Sequence, residues 1–414
     1  MRNNTTMINT YLAKIGELSL KGGNKKSFEQ RLSRNFLNLC NTQNTDHCSG
    51  ISNIKTRMSL PPSTISAKVM SGRLYVECED VDTDKVESAL SRLIGITSWT
   101  MAEVSEKNIE DISFLVMQIA KKAREEGCET FKIECRREDK SFPLNSAQIE
   151  REVGGLIHTS GILKTDLHSP HTIITIEIRK KAFVYRLSHK GIQGLPVGSS
   201  GKGLLLLSGG IDSPVAGFKM LSRGMRVDFL YFHSHPYTSA EALKKVEDLA
   251  RILARYEVPA YLNVVSFTKI QDRIKAKAPS SYLTLMMRVC MMKIANVVCE
   301  SIGAQCIITG ESLAQVASQT VENLSVVNRH AHFPVFRPLI GLNKEEIIKE
   351  ARAIETYPIS IIPYDDCCSL FAPKHPVLYA KQHDADEIYE RLEVESLLEE
   401  AINERSVKKL AWKE

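Results

Sequence analysis

No CxxC pair occurs anywhere in the 414 residues, which removes the zinc ribbon and the simple iron–sulfur signatures from consideration. The ten cysteines (40, 48, 78, 128, 135, 290, 299, 306, 367 and 368) are scattered, without the density or paired spacing of a secreted disulfide scaffold. Most of them read as small buried hydrophobes. Long apolar runs are missing too. No stretch approaches the ~18 uninterrupted apolar residues of a membrane span, and Lys14 and Glu17 break up what would otherwise be an apolar N-terminal segment. The expectation is a cytoplasmic chain with no membrane partner. A strong charge of either sign is also lacking, since 54 Lys and Arg against 49 Asp and Glu leave a net charge of +5. That balance does not by itself call for nucleic acid, but it is compatible with a basic patch on part of the surface. Internal repeats and low-complexity tracts are absent.

A chain of this length exceeds one ordinary core, so two or three domains are expected. YLAKIGELSL alternates, KGGNKK turns, and FEQRLSRNFLNL repeats Phe28, Leu32, Phe36 and Leu39 at helical spacing, predicting strand, glycine turn and helix over 11–39. A strand pair around Ser71-Gly72-Arg73 and a helix over 83–94 complete a small α+β module. A second module follows: a helix over 108–126, a strand at 131–137 (FKIECRR), a helix from a Ser146 cap to Gly154-Gly155, and strands over 172–178 and 182–188. The glycine-rich GIQGLPVGSSGKG is the linker candidate and sets a boundary near 195. Beyond it, the apolar runs LLLL, VDFLYF, AYLNVV and CIITG alternate with helical segments over 214–223, 239–254, 282–301 and 343–353, the pattern of βαβ units on a parallel sheet. The last 30 or so residues read as charged amphipathic helix.

The stretch LLLLSGGIDSP, residues 204–214, is a buried strand breaking into a small-residue turn and a helix start. Glycines there let backbone approach phosphate, Ser208 and Ser213 donate hydroxyl hydrogen bonds, and the helix start adds its dipole. GxxxxGK[ST] and GxGxxG are both absent, so neither a Walker A loop nor a dinucleotide fold is indicated. SGGIDS instead resembles the PP-loop of ATP pyrophosphatases, which cleave ATP between the α and β phosphates and transfer AMP to a carbonyl oxygen. Asp212 would then help to position Mg²⁺ and pyrophosphate.

TGESLAQVASQTVENL at 309–324 follows an apolar strand that should open onto the same crevice. With Arg288, PVFRPLIGLNKEEII at 334–348 and DDCCSLFAPKHP near 365–376, it closely resembles the tRNA 4-thiouridine synthetase (tRNA sulfurtransferase) family. GELSLKGGNKKSFEQRL resembles that family's ferredoxin-like domain and FKIECRREDKSFPLNSAQIEREVG its THUMP RNA-binding domain. The resemblance implies an α/β fold with a doubly wound parallel-sheet PP-loop domain at 203–414. Before it would lie a ferredoxin-like domain (1–83), a THUMP domain (84–190) and a linker (191–202). It also implies ATP and Mg²⁺ as cofactors, and tRNA and a cysteine desulfurase or other persulfide donor as partners. A homodimer and service to thiamine thiazole synthesis are further implications. The reaction would adenylate O4 of uridine 8 and replace it with sulfur. Many members carry a rhodanese-like domain with a persulfide cysteine; this chain ends at Glu414, too soon for one, so sulfur is expected by another route.

Carried over by position, Leu206, Leu207, Ser208, Gly209, Gly210, Asp212, Ser213, Tyr231, Phe232, Arg288, Gly310 and Gln319 would hold ATP. The side chains of Leu206, Leu207, Tyr231 and Phe232 also read as ordinary buried strand residues, with backbone left for the nucleotide. Arg288 would neutralise phosphate and Gly310 admit a close ligand. Asp212, Lys344, Cys367 and Cys368 are the catalytic candidates, although a first-turn Lys such as Lys344 is ordinarily a solvated surface residue. Asp365 and Asp366 would raise a neighbouring thiol's pKa, so Cys367 needs cationic help from Lys374, His375 or Lys344. External sulfide, or an iron–sulfur cluster including Cys290 or Cys306, is the alternative sulfur route. Lys21, Lys25, Lys26, Arg136, Arg137 and Lys140 form two candidate phosphate-binding patches. The pairs His233/His235 and His330/His332 lack a third ligand at usual spacing, so no protein metal site is expected. Two rivals share SGGIDS or the basic patches: a PP-loop enzyme adenylating another RNA base or a small carbonyl or carboxylate compound, and a non-enzymatic RNA-binding protein.

Overall fold

The computed structural model describes residues 8–17, 24–41, 65–257, 259–364 and 373–410, and the chain divides into two compact units that part between Gln193 and Gly194. In the first unit the strands are β1 (Ile8–Ile15), β2 (Ser66–Met70), β3 (Arg73–Glu79), β4 (Ile96–Ser105), β5 (Thr130–Arg137), β6 (Lys164–Thr165), β7 (Thr172–Ile178), β8 (Ala182–Tyr185) and β9 (His189–Lys190). Its helices are α1 (Lys25–Asn41), α2 (Thr83–Arg92), α3 (Ile109–Glu125) and α4 (Ser146–Ser160). The strands form one sheet in the order β2-β3-β1-β4-β8-β7-β5-β6, with β9 also on β4. Strand β4 joins what reads in sequence as two modules, because Thr10–Ile15 pair with its first half and Glu103–Ser105 pair with β8. Helices α3 and α4 close a core with β5 and β7 through Ile112, Val116, Ile149, Val153 and Ile174.

Helix α4 departs from its expected bounds at both ends. Its cap is Asn145, which forms a reciprocal capping box with Gln148, so Ser146 is the first helical residue. Gly154-Gly155 does not stop it. The helix continues to Ser160 because Ile157 is buried in the core, and Gly161 ends it in the left-handed conformation at φ 70°. The glycine-rich stretch is ordered by pairing on both sides of the division: Gly191 N donates to Thr97 O in the first unit, while in the second Leu195 and Val197 are buried and Leu195 N donates to Ser222 O.

The second unit holds β10 (Lys202–Leu206), β11 (Arg226–His233), β12 (Ala260–Ser266), β13 (Cys306–Ile308), β14 (Val335–Phe336) and β15 (Ser406–Leu410). Its helices are α5 (Asp212–Ser222), α6 (Ala240–Ala254), α7 (Thr268–Lys277), α8 (Leu283–Ser301), α9 (Val321–Arg329), α10 (Lys344–Ala353), α11 (Tyr357–Ser360), α12 (Gln382–Leu392) and α13 (Glu395–Asn403). The sheet order is β14-β13-β10-β11-β12-β15, parallel except for β15. Alternation along β10 explains why helices cover both faces: Leu204 and Leu206 pack toward α8, whereas Leu205 sits against Gly217 of α5. Helix α8 lies within Ser280–Ser301, a segment apolar and long enough to cross a membrane, yet it is a core helix of this unit, with Met286, Val289, Cys290 and Ile294 fully buried. The final segment is two short helices and then an edge strand, where Lys408 and Lys409 blunt the free edge.

Candidate functional site

Successive strands run outward from β10 through β11 to β12, and the chain then returns to the other side of β10 with β13 and β14. The order therefore reverses between β10 and β13, and a crevice opens at the carboxyl ends of those two strands. Ser208–Asp212 leave β10 there, and Thr309–Ser312 leave β13 there. A cavity of about 310 Å³ occupies this crevice. Every residue expected to hold the nucleotide lines it except Gly209, which lines an adjoining cavity.

The loop after β10 is closed by its own serines. Ser208 N donates to Ser213 Oγ at 2.9 Å, and Gly210 N donates to Ser208 Oγ at 3.2 Å. The N-cap residue of α5, Ile211, makes no side-chain cap hydrogen bond, and a helix start of this kind leaves amides for an anion. Gly310 also has a packing role. A Cβ there would lie 2.7 Å from Ser213 N, so the glycine admits the backbone of α5 as well as lining the cavity.

Charge is concentrated at two points. Lys344 Nζ donates to Asp212 Oδ1 at 2.6 Å, and Gln315 Nε2 donates to Asp212 Oδ2 at 2.9 Å. Helix α10 holds Lys344 in place, because its Asn343–Glu346 capping box fixes its start and Lys219–Glu350 ties it to α5 at 3.0 Å. The second point is Glu311, 4% exposed and set between two guanidiniums. It pairs with Arg288 and accepts from Arg337 Nε at 2.5 Å and Thr309 Oγ1 at 2.9 Å. Arg288 is held from its other side by Ser318, whose carbonyl and hydroxyl accept from Nη1 at 3.0 and 2.9 Å.

Comparison with known proteins places this geometry. The thiamine biosynthesis protein (ThiI) family model matches residues 198–394 and the THUMP domain model matches 106–186. A probable tRNA sulfurtransferase of Treponema pallidum (strain Nichols) is 50% identical over 398 residues, covering 95% of this chain and 94% of its own. The chain belongs to the tRNA sulfurtransferase family. A second member, from Thermoanaerobacter pseudethanolicus, is 42% identical over 390 residues, 94% of this chain and 97% of that protein. The crystal structure of a 4-thiouridine synthetase–RNA complex with bound ATP superposes with a TM-score of 0.84 at 32% identity, covering 98% of this chain and all of that one.

In this family member, Lys21, Cys367 and Cys368 lie outside the described residues. Lys25 and Lys26 are exposed at the start of α1, where Lys25 pairs with Glu29 at 3.9 Å. Arg136 and Lys140 are exposed, but Arg137 is turned inward and donates to the carbonyls of Phe142 and Leu144, both at 2.9 Å. Arg137 thus ties down the loop before α4. Among the described residues no three His, Cys, Asp or Glu side chains gather in a metal-binding group. Sequence reasoning missed Glu311, Gln315, Ser318 and Arg337. The first three stand inside the quoted TGESLAQVASQ stretch, but only the folded crevice brings them onto Arg288 and Asp212.

Proposed function

We propose that this chain transfers sulfur to uridine 8 of tRNA in an ATP-dependent reaction that gives 4-thiouridine. The observation that carries the reading is the Asp212–Lys344 pair beside the uncapped start of α5 in the switch-point crevice, in a chain 32% identical to a synthetase crystallised with RNA and ATP. Backbone from Leu206 to Ser213, with Tyr231 and Phe232, would receive the nucleotide. The α5 amides and Arg288 would face its phosphates. Uracil O4 attacks the α-phosphorus, pyrophosphate leaves, and the base carries AMP at C4. A persulfide on Cys367 then attacks C4 through its outer sulfur and AMP departs with the former O4. The remaining S–S bond breaks when a second thiol attacks it, and Cys368 is the adjacent candidate, leaving a disulfide.

Asp212 fits a Mg²⁺ carried mainly by nucleotide phosphates, since such a site needs only one or two protein carboxylates; the ion would neutralise phosphate charge. The alternative cluster route through Cys290 or Cys306 is disfavoured. Both are buried, and burial pushes each thiol up to about 12, away from the thiolate a ligand requires. The location this reading implies is cytoplasmic.

The test uses full-length protein, tRNA transcript, ATP, Mg²⁺ and a desulfurase-loaded persulfide, with nucleoside mass spectrometry as readout. Asp212→Ala should lose AMP release and 4-thiouridine together. Cys367→Ser should lose 4-thiouridine while AMP formation persists. Full thiolation by Cys367→Ser would overturn the persulfide step, and wild-type protein that makes no 4-thiouridine would overturn the function.

A further inference from the structure

A second cavity, of about 540 Å³, adjoins the first and shares Gly210, Thr284, Val316 and Ser318 with it. The two meet at the glycine loop, where an anion bound at the start of α5 would lie, and not at the Tyr231–Phe232 end of the crevice. A group seated in the second cavity would therefore face the phosphate chain of a nucleotide in the first. Its walls are fixed. Ser360 Oγ donates to Gly210 O at 3.3 Å, Lys245 Nζ donates to Ile362 O at 2.8 Å, and Asn323 Nδ2 donates to Val377 O at 2.8 Å.

The lining chemistry selects among acceptors. Val316, Ile362 and Tyr364 line this cavity and keep 51%, 39% and 41% of their surfaces exposed, so it has apolar and aromatic surface to offer an occupant. Among the described lining residues there is no carboxylate, and the sole Lys or Arg is Lys245, whose ammonium donates to Ile362 O. A carboxylate substrate would call for a guanidinium or ammonium turned into the space. A flat neutral base with an aromatic face calls for what is present.

Resting on the adenylation reading above, we propose that this second cavity seats the unstacked uracil of the tRNA, with Tyr364 as its stacking platform and O4 directed at Gly210.

The experiment combines turnover with photocrosslinking. tRNA carrying 4-thiouridine at position 8 is irradiated on the full-length protein, since the thiocarbonyl is itself photoreactive, and crosslinked peptides are mapped. The expected crosslinks fall in the peptides containing Val316 or Tyr364. Stacking on an aromatic is worth about 1–3 kcal/mol per base, so Tyr364→Ala should lower thiolation kcat/KM by about tenfold or more. tRNA Kd measured by filter binding and ATP Kd should move less than about twofold. Tyr364→Phe should restore turnover. Wild-type kinetics in Tyr364→Ala, or crosslinks confined to the N-terminal unit, would overturn the cavity assignment while leaving the function standing. Wild-type protein that makes no 4-thiouridine would instead overturn the function beneath it.

Discussion

Arg288 sits between a buried carboxylate and a serine, and this determines where its guanidinium points. Glu311 takes one side and Ser318 the other. A long flexible cation in an open crevice would lose rotamer freedom on meeting phosphate, whereas one already held does not. On the phosphate role proposed for Arg288, Glu311 would be a positioning residue. Glu311→Gln keeps the shape but removes the charge that Arg288 and Arg337 share. A charge-assisted hydrogen bond is worth about 1.5–3 kcal/mol, so affinity for a non-hydrolysable ATP analogue should fall about tenfold by calorimetric titration, with folding checked by circular dichroism. Unchanged affinity would show that Ser318 suffices. Arg288 was legible in the sequence only through resemblance. Glu311 and Gln315 were not singled out, because a carboxylate two residues past a strand looks like any loop residue until the fold sets it on a guanidinium from another helix.

Among the elements, β11 carries a charge cluster at its amino-terminal end, opposite the crevice. Glu257 is 8% exposed, accepts from Val227 N at 2.8 Å, and has Arg226 3.6 Å away. Asp228 and Lys202, paired at 2.7 Å, complete its charged surroundings. Burial dominates and pushes the Glu257 carboxyl up to about 8. The folded protein then keeps a proton that the unfolded chain releases near pH ~4.3. The associated stability is full below that pH and is lost as pH rises through about 8. Glu257→Gln removes this titration, so its melting temperature should fall less than the wild type's between about pH 5 and pH 9. Parallel pH profiles of the two proteins would contradict the burial argument. Most helices and strands were legible from periodicity, because amphipathic spacing is local. The run of α4 through Gly154-Gly155 was not, since burial of Ile157 outweighs the weak helix propensity of glycine.

For the whole molecule, alternating strands and helices after residue 203 announced a parallel sheet, and the switch point then located the crevice. Two features escaped that reasoning because both depend on pairing between distant segments: the single sheet joined through β4, and the antiparallel β15 at the edge of β12. The basic residues of the N-terminal unit divide in the same way. Arg136 and Lys140 are exposed and available to phosphate, whereas Arg137 is engaged with the carbonyls of Phe142 and Leu144. On the expectation that this strand end meets RNA, the three would contribute differently. Each lost phosphate contact lowers the slope of log K against log salt by roughly one. Arg136→Ala combined with Lys140→Ala should reduce that slope for tRNA by about two in filter binding across a potassium chloride series. The same variant should retain wild-type affinity for the ATP analogue, since both substitutions lie in the N-terminal unit and the nucleotide crevice lies wholly in the other. Arg137→Ala should loosen the loop before α4 and weaken binding with a smaller change of slope, because a fold contact is not screened as a phosphate contact is. A double variant with an unchanged slope would remove this strand end from the RNA footprint and leave the start of α1, with Lys25 and Lys26, as the surface to test next.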